Sequence, residues 1–359
     1  MELLDSSGPQ LAIPIRRFIW DLTYACPLRC IHCYSESGRR PARTLDRESM
    51  LHVVDTIIAA GPERVSFAGG EPLLVPWWDE AARLLNSAGI PVTIFISGWL
   101  MDEEMADKLT TSVTTVTVSV DGPDKETHDA IRGRIGSFDR AMAALDRLIR
   151  VKRQRMARSE TCYQLGVDYT VTRTGKHNIG DFVEKVTSRF AELDYVRIGA
   201  AMPVGLAQET QFVRSELLND EELDALVDSE PDLMSRARNG VSVEVTDVRT
   251  FLPTSPDSIE GESIAQIEPD GALRAFAIYE AKVGNILDEP LDVLWDRAIA
   301  WRNDPFVLEQ KNSIKTLDDW ARVTRALDRR YGSDEDKARI ARRNAVVRQS
   351  GSAARRDGS

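Results

Sequence analysis

The chain has 359 residues, 42% of them hydrophobic and 29% charged, with a net charge of −11. That length exceeds the roughly 250–300 residues at which single cores stop growing, so a large α/β domain with a smaller companion is expected. The acidic balance argues against nucleic-acid and anionic-membrane partners. No apolar run reaches the ~18 residues of a membrane span, and the N-terminus MELLDSSGPQ lacks signal-peptide regions, which predicts a cytoplasmic protein.

In chain order, strands are expected at Phe18–Leu22, Arg64–Ala68, Pro91–Ser97, Thr115–Val120, Gln164–Val171 and Tyr195–Ala200. Helical stretches at Asp46–Ala60, Trp78–Ala88, Glu103–Thr110, Phe138–Ala157 and Ile179–Ala191 alternate with them. Strands joined by helices imply parallel pairing, because parallel neighbours need long crossovers. Six units fall short of a closed eight-stranded barrel, so the predicted fold is α/β, a partial (β/α)6 TIM-like barrel. Thr44, Asp46 and Glu48 supply caps for the first helix, and Gly98, Gly122 and Gly175 mark sharp turns just after strands. Such carboxyl ends are where α/β sheets bind ligands.

Beyond residue 205 the rhythm changes. A helix at Asp220–Val227, a strand at Val241–Val245, a Pro/Ser-rich loop from Pro253 to Pro256 and a hairpin of Ser263–Ile267 with Gly271–Ile278 are expected. A helix at Leu291–Trp301 and arginine-rich helices from Thr316 follow, their arginines read as a solvated face. The predicted division is a tail over 1–15, a barrel core over 16–210, a small α+β extension over 211–310, helices over 311–349 and a disordered tail over 350–359.

Three of the four cysteines stand in Cys26-Pro-Leu-Arg-Cys30-Ile-His-Cys33, directly after the first strand. Such crowding points to metal or catalysis, whereas a disulfide framework would spread along the chain. Three thiolates can hold three irons of a cubane and leave the fourth open; structural zinc would need a fourth Cys or His. His32, adjacent to Cys33, and Cys162, at the amino end of the fifth strand, are the rival fourth ligands. A buried thiol is the plainer description of Cys162.

The CxxxCxxC spacing resembles the signature of the radical S-adenosylmethionine (SAM) superfamily, and further segments extend the likeness. Gly69-Gly70-Glu71-Pro72 resembles the turn that faces the SAM ammonium; glycines admit the backbone closely and Glu71 can accept a charged hydrogen bond. Ser119 and Asp121 resemble residues near the SAM ribose and carboxylate, and Arg132 the arginine that pairs with that carboxylate. His32 takes the position beside the adenine, with Val171 and Thr172 as adenine walls. The resemblance implies one [4Fe–4S] cluster on Cys26, Cys30 and Cys33, SAM as cofactor, and an electron donor such as flavodoxin or ferredoxin.

Ile267 to Phe276, Val283-Gly284-Asn285-Ile286, Pro290-Leu291 and Leu294-Trp295 resemble the SPASM or twitch extension of that superfamily. Relatives carry auxiliary-cluster cysteines there, the first near Phe276, yet no cysteine follows Cys162. Without an auxiliary electron acceptor, redox-neutral outcomes such as epimerisation, decarboxylation or rearrangement are easier to rationalise. A hydrogen-atom donor would then be Tyr279 or external. The implied activity is hydrogen abstraction from a natural-product precursor by a 5′-deoxyadenosyl radical, with a ribosomal peptide favoured because Cys26 to Arg40 looks like peptide-maturing relatives. Against a peptide, few residues precede the first strand, too few for a leader-gripping winged domain. The alternatives are a sugar or nucleoside metabolite as substrate, and a non-enzymatic iron–sulfur or zinc protein.

Overall fold

The computed structural model describes residues 13–252 and 262–353, with side chains described through residue 343. Six parallel strands form its centre: β1 (Arg17–Thr23), β2 (Arg64–Gly69), β3 (Val92–Ile96), β4 (Thr115–Ser119), β5 (Gln164–Val171) and β6 (Tyr195–Ala200). Each lies within two residues of its expected bounds. Alternating burial along β3 and β6 aims one set of side chains at the helices and the other into the barrel interior.

The crossovers are α1 (Arg47–Ala60), α2 (Trp78–Ser87), α3 (Glu103–Ser112), α4 (Lys125–Arg132) with α5 (Ser137–Ala157), and α6 (Ile179–Arg189). Asp46, Asp102 and Asp124 cap α1, α3 and α4 by accepting the backbone N–H three residues on. Helix α4 is absent from the expected elements, although Asp124 before it and Gly133 after it, at φ +66°, are readable caps.

The sheet does not stop at six strands. β7 (Ser242–Thr246) pairs parallel with β6, and β8 (Ile264–Ile267) pairs parallel with β1 on the opposite edge. β9 (Ala272–Arg274) and β10 (Lys282–Asn285) then add antiparallel, giving the order β10-β9-β8-β1-β2-β3-β4-β5-β6-β7. The C-terminal region is therefore continuous with the barrel sheet and lengthens it at both edges.

The second arm of the expected hairpin, Gly271–Ile278, ends as a strand at Arg274. Beyond it Ile278 adopts φ +86°, a conformation a β-branched residue rarely takes, with its N–H donated to Gln266 Oε1 at 2.9 Å. The expected loop from Pro253 to Pro256 lies outside the described residues, as do residues 354–359 of the expected tail. Ser350–Ala353, also expected in that tail, continue the backbone of the Asp334–Ala353 helix.

The C-terminal helices Leu291–Arg302, Pro305–Asn312 and Leu317–Tyr331 bury Trp295 and Trp320 against the sheet extension. Among the described residues no helix is long and apolar enough to cross a membrane.

Candidate functional site

Parallel strands bring all their carboxyl ends to one edge, and the cysteine loop emerges there after β1. Its path is fixed by backbone bonds to two other segments. Gly70 N donates to Thr23 O at 2.7 Å and Glu71 N to Ala25 O at 2.9 Å, while Arg29 N and Ile31 N donate to Arg132 O and Ile131 O. A Cβ on Gly70 would lie 2.1 Å from Ala25 O, so only glycine lets the two loops touch. Tyr34 adds a clamp, its hydroxyl donating to Asp21 Oδ1 at 2.6 Å and accepting from Gly69 N at 3.0 Å.

Each thiol meets a donor or hydroxyl. Leu28 N donates to Cys26 Sγ at 3.4 Å, Arg132 Nη1 approaches Cys30 Sγ at 3.8 Å, and Cys33 Sγ lies 3.6 Å from Ser35 Oγ. Burial first, and then mutual proximity, push Cys26 up to about 12; burial pushes Cys30 up to about 11 despite Arg132. Without a metal these two are therefore neutral thiols, and a bound metal would supply the cationic charge that thiolates buried this deeply require. Among the described residues no three His, Cys, Asp or Glu side chains gather closely enough to hold a single metal ion. A cubane imposes no such convergence, because each thiolate takes a different iron.

Glu71 is 1% exposed, and its Oε2 accepts from both Ser97 N, at 3.0 Å, and Ser97 Oγ. Its Oε1 is buried with no hydrogen-bond partner. Burial raises its pKa above the ordinary carboxylate value. An orphaned carboxylate oxygen beside the cysteine loop suits a cationic ligand such as the SAM ammonium.

Asp121, wholly buried, organises the neighbouring polar group. Its Oδ2 takes His32 Nε2 at 2.8 Å and Arg132 Nε at 2.5 Å, its Oδ1 takes Thr170 N at 3.0 Å, and its own N–H donates to His128 Nδ1 at 3.1 Å. Against a burial penalty, Arg132 and His32 hold the Asp121 carboxyl well below its ordinary value. Burial and then Arg132 bring His128 down to about 4, which keeps it neutral.

The structure thus gathers Cys26, Cys30, Cys33, His32, Gly69, Gly70, Glu71, Pro72, Asp121 and Arg132 at one edge. Ser119 is half-buried at the end of β4, opposite Asp168. Val171 is not among them: strand alternation turns it outward, where it lines a cleft with Ile179 and Leu218, correcting its expected place beside an adenine. Thr172 is fully buried and accepts Gly175 N at 3.2 Å, serving the turn after β5. Tyr279 is 1% exposed, in an aromatic cluster with Phe276 and Trp301 and facing Trp320. Cys162 lies just before β5, at the opposite end of the strands, as expected.

Sequence reasoning missed the supports: Ser97 holding Glu71, Tyr34 bridging two loops, and Gln266 Nε2 donating to Asp21 Oδ2 at 3.0 Å. Near Phe276 the interior instead holds ions: Arg274 bonds Glu268 at 2.9 Å and meets Glu280 at 3.4 Å, all fully buried.

A partial barrel with three thiols after its first strand and a buried, unpartnered carboxylate after its second brings candidate cluster ligands and a candidate cation contact to one sheet edge. Residues 20–165 match the radical SAM superfamily, so the chain carries a radical SAM domain.

Among similar proteins, the AdoMet-dependent heme synthase of Methanosarcina barkeri is 36% identical over 133 residues, 36% of this chain and 38% of that protein. The mycofactocin maturase MftC of Mycolicibacterium smegmatis is 36% identical over 36% of this chain and 33% of that protein. The alignments thus span little more than a third of these relatives' length. The Fe-coproporphyrin III synthase of M. barkeri aligns more broadly, 25% identical over 77% of this chain and 72% of that protein. In structure, SuiB of Streptococcus suis bound to S-adenosylmethionine superposes with a TM-score of 0.62 at 16% identity, covering 84% of this chain and 68% of SuiB. At that identity the likeness establishes the fold.

Proposed function

We propose that this protein is a radical SAM enzyme that holds one [4Fe–4S] cluster on Cys26, Cys30 and Cys33 and binds SAM between the cysteine loop and Glu71. The observation that carries the reading is the unpartnered, buried Glu71 Oε1 beside three free thiols. Both are groups that a cluster and a sulfonium amino acid would satisfy. When bound, the cluster supplies the electron that cleaves SAM to a 5′-deoxyadenosyl radical, which takes a hydrogen atom from the substrate.

This chain's residues do the rest. Ser97 fixes the Glu71 carboxylate so that its free oxygen can hold the ammonium. Gly69 and Gly70 keep that turn against the loop. Asp121 holds Arg132 and His32 in place, with Arg132 set between Asp121 and Cys30, where it can also draw the SAM carboxylate.

The substrate we favour is a ribosomal peptide, supported by the segment Cys26 to Arg40, which resembles that of peptide-maturing relatives, and by SuiB, which has been solved bound to its precursor peptide SuiA. The Fe-coproporphyrin III synthase match favours a second reading, an iron porphyrin substrate, because it runs through most of both chains.

Anaerobic reconstitution with iron and sulfide, followed by dithionite and SAM, is expected to give about four irons per chain and 5′-deoxyadenosine. The Cys26→Ala/Cys30→Ala/Cys33→Ala protein should give neither. Undiminished cleavage by that variant, or a colourless zinc protein, would end the reading. A mass change in a candidate precursor peptide, or in iron coproporphyrin, separates the two substrates.

A further inference from the structure

This acidic chain pairs its exposed arginines with carboxylates across much of its surface, as in Arg16–Glu63, Arg83–Asp79, Arg153–Glu192 and Arg189–Asp146. Around the cysteine loop that habit breaks. Arg29 bonds Cys26 O at 3.0 Å and Leu28 O at 2.8 Å, Arg39 bonds Cys30 O at 3.1 Å and also Arg29 O, Arg134 bonds Pro27 O at 2.6 Å, and Arg140 bonds Trp99 O at 3.4 Å. All four are exposed. Their hydrogen bonds go to main-chain carbonyls, five of them in the loop Cys26–Cys30, and none of the four joins an ion pair among the described residues.

The nearby carboxylates do not cancel this charge. Asp129 is consumed by Gly136 N, Ser137 Oγ and Phe138 N, and Asp139 is paired with Lys125 at 2.5 Å. Glu126 leaves one negative charge at the rim. At the centre stands Ile135, 88% exposed, in the turn between α4 and α5, while Arg134 and Arg140 stack on Trp99 with Cζ 3.8 and 5.1 Å from the ring centroid. A cationic rim around an apolar tip is the anatomy of a small transient interface, whose charges set encounter rate and orientation.

We propose that the patch formed by Arg29, Arg39, Arg134, Ile135 and Arg140 is where a small acidic electron-transfer protein docks to reduce the cluster. The inference rests on the radical SAM reading above. One electron leaves the carrier's reduced centre, which is oxidised by one equivalent, and enters the [4Fe–4S] cluster, which is reduced by one; no bond forms and no proton need move. A carrier seated here touches the loop that bears the sulfur ligands, so the path is short. Arg29, Arg39 and Arg134 also hold that loop, whereas Ile135 and Arg140 project from the neighbouring turn and helix.

The test titrates the reconstituted holoenzyme with an oxidised acidic flavodoxin under anaerobic conditions, with dithionite-driven 5′-deoxyadenosine formation measured in parallel. Affinity should fall steeply with added salt, and Arg140→Glu should weaken binding about threefold or more while dithionite-driven cleavage stays at the wild-type rate. Ile135→Ser, which removes the apolar tip without adding charge, should also weaken it, with no change in the salt dependence. Unchanged affinity in both variants, or wild-type binding indifferent to salt, overturns the docking site. So does failure of flavodoxin to bind while a polyanion such as heparin does. If the wild type cleaves no SAM with dithionite, the radical SAM reading fails instead.

Discussion

Glu71 has both of its roles set by single atoms. Oε2 is spent on Ser97, and Oε1 is buried without a hydrogen bond of ordinary geometry. Glu71→Gln should keep the shape but lose the charge. A charged hydrogen bond contributes about 1.5–3 kcal/mol, so the Kd for SAM should rise roughly ten- to hundredfold at unchanged iron content. Equilibrium dialysis of the reconstituted proteins measures it, and an unaltered Kd would remove Glu71 from the cofactor's contacts. The glutamate itself was legible, because Gly-Gly-Glu-Pro stands after a strand. Its tether was not: Ser97 lies 26 residues away after β3, and nothing local marks it as a partner. Val171 shows the converse, since an expected wall residue is turned outward by strand alternation, which one-residue errors in face assignment invert.

At the next scale, the strands and their crossovers were readable because each carries its own periodicity and caps. What escaped was long-range. β8 joins β1 although about 240 residues separate them, and the Asp334–Ala353 helix returns to the cysteine loop. From that helix Arg339 reaches Glu36 at 2.7 Å, Glu280 at 2.8 Å and Asp336 at 3.2 Å, and Arg343 also pairs with Glu36, three residues beyond Cys33. The arginines that read as a solvated face are, at these two positions, buried ties. Removing one partner from such a network leaves unpaired buried charge, at a cost of about 3–5 kcal/mol. Arg339→Ala should therefore lower the urea midpoint correspondingly at constant m-value and speed iron loss to a chelator. A stability within about 0.5 kcal/mol of wild type would show that the ion pairs there break even.

Across the molecule, buried carboxyls act in two opposing sets. Burial raises Asp21 and Asp168 to about 6 and Asp328 to about 7, the last helped by the charge of Glu280. Asp121 and Glu280 move the other way, because despite burial their arginine neighbours hold them below the ordinary range. A carboxyl raised in the folded state contributes stability that is complete below its unfolded pKa, near 4, and is lost as pH climbs through 6 to 7. The depressed pair contributes stability that is present above about 4 and lost in acid. Stability should thus peak near pH 4, falling in stronger acid as the depressed pair protonates and falling again between about pH 4 and 7 as the raised set loses its advantage. Asp328 can be isolated from the rest, since Gln208 Nε2 donates to its Oδ2 at 2.8 Å while Gln208 Oε1 has no partner. In Asp328→Asn the Gln208 amide can turn over and accept from the new NH2, so the fit survives without a titrating group. The variant should lose less stability than wild type between pH 5.5 and 8, by about 1 kcal/mol or more, in anaerobic urea unfolding at the two pH values. Parallel losses in the two proteins would move the alkaline decline to Asp21 or Asp168, which sit at the barrel interior and not under the C-terminal helices.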